Sequence, residues 1–269
     1  MMSELFSATW RALTERDPWE KCELVSALSR EWQGGSLEFD PRIELPEISV
    51  AGHPDKPELV NPRDLPQRGP GSVEGRVALI HAITHIEFNA INLALDAVCR
   101  FRQMPAGYYT EWLNIASEES NHFSLLNNRL NKLDSYYGEL SAHNGLWDMA
   151  MRTAHDPLHR MAMIPRVMEA RGIDVTPGMI KVFLRIGDQE TVEILELILR
   201  EEIGHVKAGS RWFHYLCEQR GIDAETTYLD LVRDYMGSGL HCPMHLQARL
   251  DAGFSESELE QLARLCRKT

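Results

Sequence analysis

Glutamate and histidine recur three residues apart at two places in the chain, Glu119-Ser-Asn-His122 and Glu202-Ile-Gly-His205. Residues so spaced are neighbours on a helix surface, so each pair aims a carboxylate and an imidazole at one point. A lone, apolar-flanked glutamate precedes each pair: Glu87 lies 32 residues before Glu119, and Glu169 lies 33 before Glu202. One such set cannot enclose two metal ions, whereas two sets facing each other can. Each glutamate taken alone reads as a solvated helix-face residue; the four in register, each among apolar neighbours, do not. Buried without cations, these groups would be penalised by roughly several kcal/mol apiece and would have to take up protons. Two divalent ions balance four carboxylates.

The expected metal ligands are therefore Glu87, Glu119, His122, Glu169, Glu202 and His205. Glu87 and His122 are assigned to one ion, Glu169 and His205 to the other. Glu119 and Glu202 bridge or shift between the ions, which makes them the expected catalytic carboxylates. Carboxylate and imidazole donors suit iron and manganese, and the thiolates that select zinc or copper(I) are missing from these stripes. Two iron ions are the first expectation, with manganese or a mixed manganese–iron pair as the alternative.

The elements that must carry these residues are helical. The pattern predicts a long helix from Ser72 to about Phe101 bearing Glu87, and a second from about Pro105 to Tyr137 bearing Glu119 and His122. A third, about Leu146 to Arg171, carries Glu169, is kinked or split by Pro157 and Pro165, and stops at Gly172. After a short helix near Pro177, a fourth long helix is capped by Asp188, carries Glu202 and His205, and ends near Gln219 before Gly221. Ahead of these lie one short helix opened by Asp17-Pro18 and a proline-crowded extended arm from Asp40 to Gly71. Two short helices, about 226–236 and 256–266, look like a cover. The expected class is all-α. Its parts are an N-terminal helix and wrapping arm (1–71), a four-helix bundle (72–221) and a C-terminal helical cover (222–269).

A formal charge of −12 disfavours nucleic acid and anionic membranes as partners, because both repel an acidic surface. The five cysteines are scattered without a Cys-x-x-Cys pair, which reads as reduced thiols rather than a disulfide framework. The first residues lack the signature of a secretory signal, and no uninterrupted apolar run reaches the roughly 20 residues a membrane span needs. A soluble cytoplasmic protein is expected.

The ligand pattern resembles the ferritin-like di-iron carboxylate superfamily, whose bundles take a glutamate from two helices and Glu-x-x-His from the other two. The stretches HAITHIEFNAINLALDAVCRF, EWLNIASEESNHF, MAMIPRVMEARGIDVTPGMI and GDQETVEILELILREEIGHVKAGSRWFHYLCEQRG resemble, more closely, a bacterial family of uncharacterised ferritin-like proteins. Distant kin of that family include tRNA-modifying di-iron monooxygenases. The similarity covers residues 72–221. It implies a ferritin-like four-helix bundle and a non-haem di-iron oxidoreductase, an oxygenase or oxidase that uses O₂ on a small organic substrate. No flavin or nicotinamide motif is present, so electrons would come from an external donor or from the substrate. The competing readings are an iron-handling protein of ferroxidase type and a dimanganese peroxide-consuming enzyme. The sequence leaves oligomeric state open.

Other conspicuous residues read as structural. His81 and His85 share a helix with Glu87 but His85 faces away from it, and His155 of the pair His155/His159 lies about 21 Å along its helix from Glu169. The run His241-Cys242-Pro243-Met244-His245 lacks a second cluster to complete a metal site. Tyr108 and Trp112 share the face of Glu119. Arg166, one turn before Glu169, is expected to pair with a ligand carboxylate or an anionic substrate, and Thr84, Ala162 and Gly209 to leave room near the ions or to allow close packing.

Overall fold

In a computed structural model, residues 3–66, 69–237, 239–240 and 242–266 are described. Regular structure in them is helical apart from a two-residue parallel ladder, β1 (Ser3–Glu4) with β2 (Leu37–Glu38). Contacts divide the chain into two compact units, Met1–Met151 and Arg152–Thr269.

The first unit opens with a helix that the pattern did not foretell, α1 (Leu5–Thr14), whose first amides are capped by the Glu4 carboxylate. Helix α2 (Pro18–Gln33) begins as expected, with Asp17 accepting from the Trp19 and Glu20 amides and Pro18 in the first turn. Lys21 is fully buried and donates to the Ala12 and Leu13 carbonyls at the end of α1 and to Asn92 Oδ1. The arm is extended, with one 3₁₀ turn at Pro62–Asp64, and is pinned where Val60 N–H donates to Ala142 O and Ala142 N–H to Glu58 O.

Helices α3 (Val73–Arg100) and α4 (Ala106–Asn131) form the core hairpin of this unit. By length and composition α3 could cross a membrane, yet 72% of its apolar window is buried in protein, as befits a core helix. Helix α4 stops short of the expected Tyr137. Asp134 adopts a left-handed φ of 55°, and Asn127 Oδ1 accepts from the Tyr137 amide, folding the chain back over α3. Helix α5 (Gly145–Arg152) follows.

In the second unit the expected third helix is broken into pieces. Asp156 caps α6 (Pro157–Met163), a π-helical turn runs over Ile164–Glu169, and α7 (Ala170–Arg185) continues from it. Gly172 does not stop α7, and no separate helix starts at Pro177. Ile173, Thr176 and Phe183 are buried along one face of α7, and that burial outweighs the local cost of a glycine and a proline. Helix α8 (Gln189–Arg220) has the expected ends: Asp188 accepts from the Thr191 amide, and Gly221 turns left-handed at φ 64°.

Helices α9 (Ala224–Met236) and α11 (Glu256–Cys266) match the two short helices expected near 226–236 and 256–266, with an additional α10 (Leu246–Asp251) between them. Arg249 of α10 makes a two-pronged bond to Asp174 of α7. Cys242 and Cys266 form a disulfide, which corrects the expectation of reduced thiols throughout; Cys22, Cys99 and Cys217 are free. A separation of 24 in sequence hides the pair from a spacing argument, and the fold brings their Cα atoms to 6.2 Å.

Candidate metal centre

Helices α3 and α4 are joined by the short segment 101–105 and run antiparallel, so residues equally far from that turn lie level. Tyr108 O–H donates to Ala97 O at 3.4 Å and sets the register. Glu87 lies ten residues back from Ala97 and Glu119 eleven residues on from Tyr108, which is why a separation of 32 brings them together.

The result is a buried group. His122 Nδ1 lies 3.2 Å from Glu87 Oε2 and 3.2 Å from Glu119 Oε2. One ligand atom from each of the three residues falls within 4.8 Å of the others. Glu119 and His122 are fully buried and Glu87 is 3% exposed. Burial alone would push the imidazole down, but hydrogen bonds and charge from Glu119 and Glu87 override it and carry His122 up to about 11. His122 thus lies within hydrogen-bond distance of two carboxyl groups in the interior of a helical unit. The donor chemistry, oxygen and imidazole without thiolate, fits a divalent cation of the iron or manganese kind.

The second expected set lies in the other unit, on a hairpin of similar design. The connection 186–188 joins α7 to α8, with Glu169 seventeen residues before it and His205 seventeen after it. Glu202 and His205 are buried, and His205 Nδ1 lies 3.6 Å from Glu202 Oε1. Glu169 is half-buried at the end of the π turn. Among the described residues, no group within 4.8 Å that holds both Glu169 and His205 is found.

On a neighbouring face of α3 and α4 the chain builds an aromatic cluster. Phe88 and Phe123, the residues that follow Glu87 and His122 in sequence, pack on each other at 5.5 Å and on Tyr137 at 5.6 and 5.2 Å. Tyr137 stacks on His81 and His85, with His85 Nδ1 accepting from its hydroxyl at 2.9 Å and His85 Nε2–H donating to His143 O. His81 Nε2 accepts from the Gly138 amide. Both histidines are therefore held neutral, by burial first, with His81 lowered to about 4 and His85 to about 3. This agrees with the structural role expected of them. The role of Tyr137 was missed, because a helix running on to that residue would have placed it elsewhere.

The other residues singled out in the sequence take up structural contacts. Arg166 was expected to pair with a ligand carboxylate or an anionic substrate; its carboxylate partner is Glu258 of α11, at 2.7 Å. Gly209 leaves no room, since a Cβ there would lie 2.2 Å from Pro165 Cγ. The Thr84 hydroxyl donates to Ile80 O, and Ala162 is fully buried. His159 bonds the Tyr235 hydroxyl and packs against His155. Cys242 is spent in its disulfide, and His241 lies outside the described residues. Glu258 had a readable local signal, the capping pattern Ser255-x-x-Glu258, but nothing in it announced the arginine.

Fold and site together define an all-helical protein with a buried carboxylate–imidazole group able to hold a metal ion. Residues 14–260 match the family described as protein of unknown function DUF455, and the chain belongs to that family. It is 43% identical to an uncharacterised protein of Haemophilus influenzae, over 96% of this chain and 95% of that one. No solved structure matches it.

Proposed function

We propose that the chain is a non-haem binuclear metal oxidoreductase of ferritin-like type, with iron as its resident metal, using O₂ on a small organic substrate. The observation that supports it is the convergence of Glu87 and Glu119 on His122, each at 3.2 Å, in a buried interior. Buried charges of this kind persist when something compensates them. In the metal-free chain a proton on His122 does so, and a divalent cation would take its place.

In this reading Glu87 and His122 hold one ion, and Glu169 and His205 hold the other. Glu119 would add a second carboxylate in the first unit, and Glu202 one in the second. The bound pair would supply one- and two-electron chemistry toward O₂. Reducing equivalents come from an external donor or from the substrate.

Elemental analysis of protein purified without chelators tests the proposal directly. About two iron or manganese ions per chain are expected, with Glu119→Ala and His122→Ala each losing at least half of them. Ferrous-loaded protein should be oxidised by air, and the Glu119→Ala variant should not be. A folded chain that takes up neither Fe²⁺ nor Mn²⁺ would sink the reading.

A further inference from the structure

Glu169 closes a π-helical turn, Ile164–Glu169. Such a turn carries an extra residue relative to an α-turn, which rotates the side chains that follow, and single π turns collect at functional sites. This one is anchored at two successive residues. Pro165 seats against Gly209 of α8, where a Cβ would approach Pro165 Cγ and Cβ to 2.2 and 2.3 Å, so only glycine fits. Gly209 lies four residues beyond His205, one turn along the same helix.

The next residue, Arg166, is fully buried. Its guanidinium carbon lies 4.1 Å from the Tyr228 ring centroid, 4.6 Å from Phe254 and 4.9 Å from Phe213. Its Nη2 donates to Glu258 Oε1 at 2.7 Å, while Nε and Nη1 make no hydrogen bond among the described residues. The Tyr228 hydroxyl donates to the Arg166 carbonyl at 2.9 Å, and so grips the backbone of the π turn itself. The other Glu258 oxygen accepts from the Ser255 amide at the start of α11.

A buried ion pair is a poor device for stability, because apolar side chains of equal volume do as well or better; what it supplies is a fixed geometry. Here the fixed object is the turn that ends on Glu169. We propose that Arg166, held by Glu258 and three aromatic rings, acts with the Pro165–Gly209 contact as a clamp that sets the direction of Glu169. Arg166 is then a positioning residue, and α9 and α11 are working parts of the metal-binding machinery rather than a passive cover. This rests on the reading of Glu169 as a metal ligand.

Titration of the metal-free full-length chain with Mn²⁺, followed by bound ions per chain and by the spectrum of bound Mn²⁺, tests the clamp. Glu258→Gln preserves shape, and Gly209→Ala displaces Pro165. Each should weaken the second Mn²⁺ by about tenfold or more, the usual effect of removing a partner that orients a ligand, with the first ion unaffected. Glu169→Gln should lose the same ion, and adding Glu258→Gln to it should cost nothing further. Thermal midpoints of the metal-free variants separate this from unfolding, and Glu258→Gln carries the test if Gly209→Ala fails to fold. Wild-type Mn²⁺ binding in a folded Glu258→Gln variant, with the second ion lost in Glu169→Gln, refutes the clamp and leaves the metal reading intact. Full binding in Glu169→Gln overturns the clamp and the assignment of Glu169 as a ligand.

Discussion

At the scale of single residues, the interior of the first unit uses ionisable groups in opposite ways. His122 is raised by two carboxylates, whereas His81 and His85 are lowered by burial and bonded in their neutral forms. The two lowered histidines have a consequence for acid stability. Below about 6.5, the ordinary histidine value, the unfolded chain binds protons that the folded chain refuses. Stability is thus fully present above that value and is lost as pH falls toward about 4 and about 3. The slope is about 1.4 kcal/mol per pH unit for each group. Urea midpoints across this range should follow it, and His81→Gln, which can still accept from the Gly138 amide, should lose part of the slope. An unchanged slope in that variant would assign the acid sensitivity elsewhere. The histidine spacing of four was legible in the sequence, but not the tyrosine between the rings, because Tyr137 reaches them only after α4 has ended.

At the scale of elements, capping and hydrophobic period located most helix starts, and packing decided where several of them stop. Asp17, Ser72 and Asp188 cap the helices that follow them as their residue types predict. Gly172 and Pro177 fail as stop signals because α7 has a buried face to keep. The π turn had no local signature beyond Pro165, since its shape depends on the notch at Gly209 and the cage around Arg166. The disulfide between Cys242 and the last residue of α11 is likewise a tertiary fact. Closing a loop of this size should contribute about 3 kcal/mol through the unfolded state. Cys266→Ser should therefore lower the denaturation midpoint, and reductant should do the same to the wild type. A wild-type midpoint indifferent to reductant would mean that the staple is not formed in solution.

For the whole molecule, the acidic balance and the buried carboxylates point to cations as stabilising ligands. Anything that binds only the folded chain stabilises it by mass action, by about 2.7 kcal/mol at a hundredfold excess over Kd. At about 2–4 °C per kcal/mol for a chain of this size, Mn²⁺ or Fe²⁺ should raise the midpoint by several degrees. Chelator should reverse the shift, and His122→Ala should abolish it; an equal shift in that variant would place the stabilising ion elsewhere. The residue types and spacings alone determined the helical class, the long hairpin helices and the candidacy of Glu87, Glu119 and His122, because helical periodicity and an antiparallel turn are local physics. Only the tertiary structure decided that Glu87 and Glu119 each come to 3.2 Å from His122 in a buried interior and that Arg166 turns to Glu258. It also decided that Gly209 is a notch and not a cavity. Each of those outcomes depends on which distant side chain fills the neighbouring space, and spacing along one helix carries no information about that.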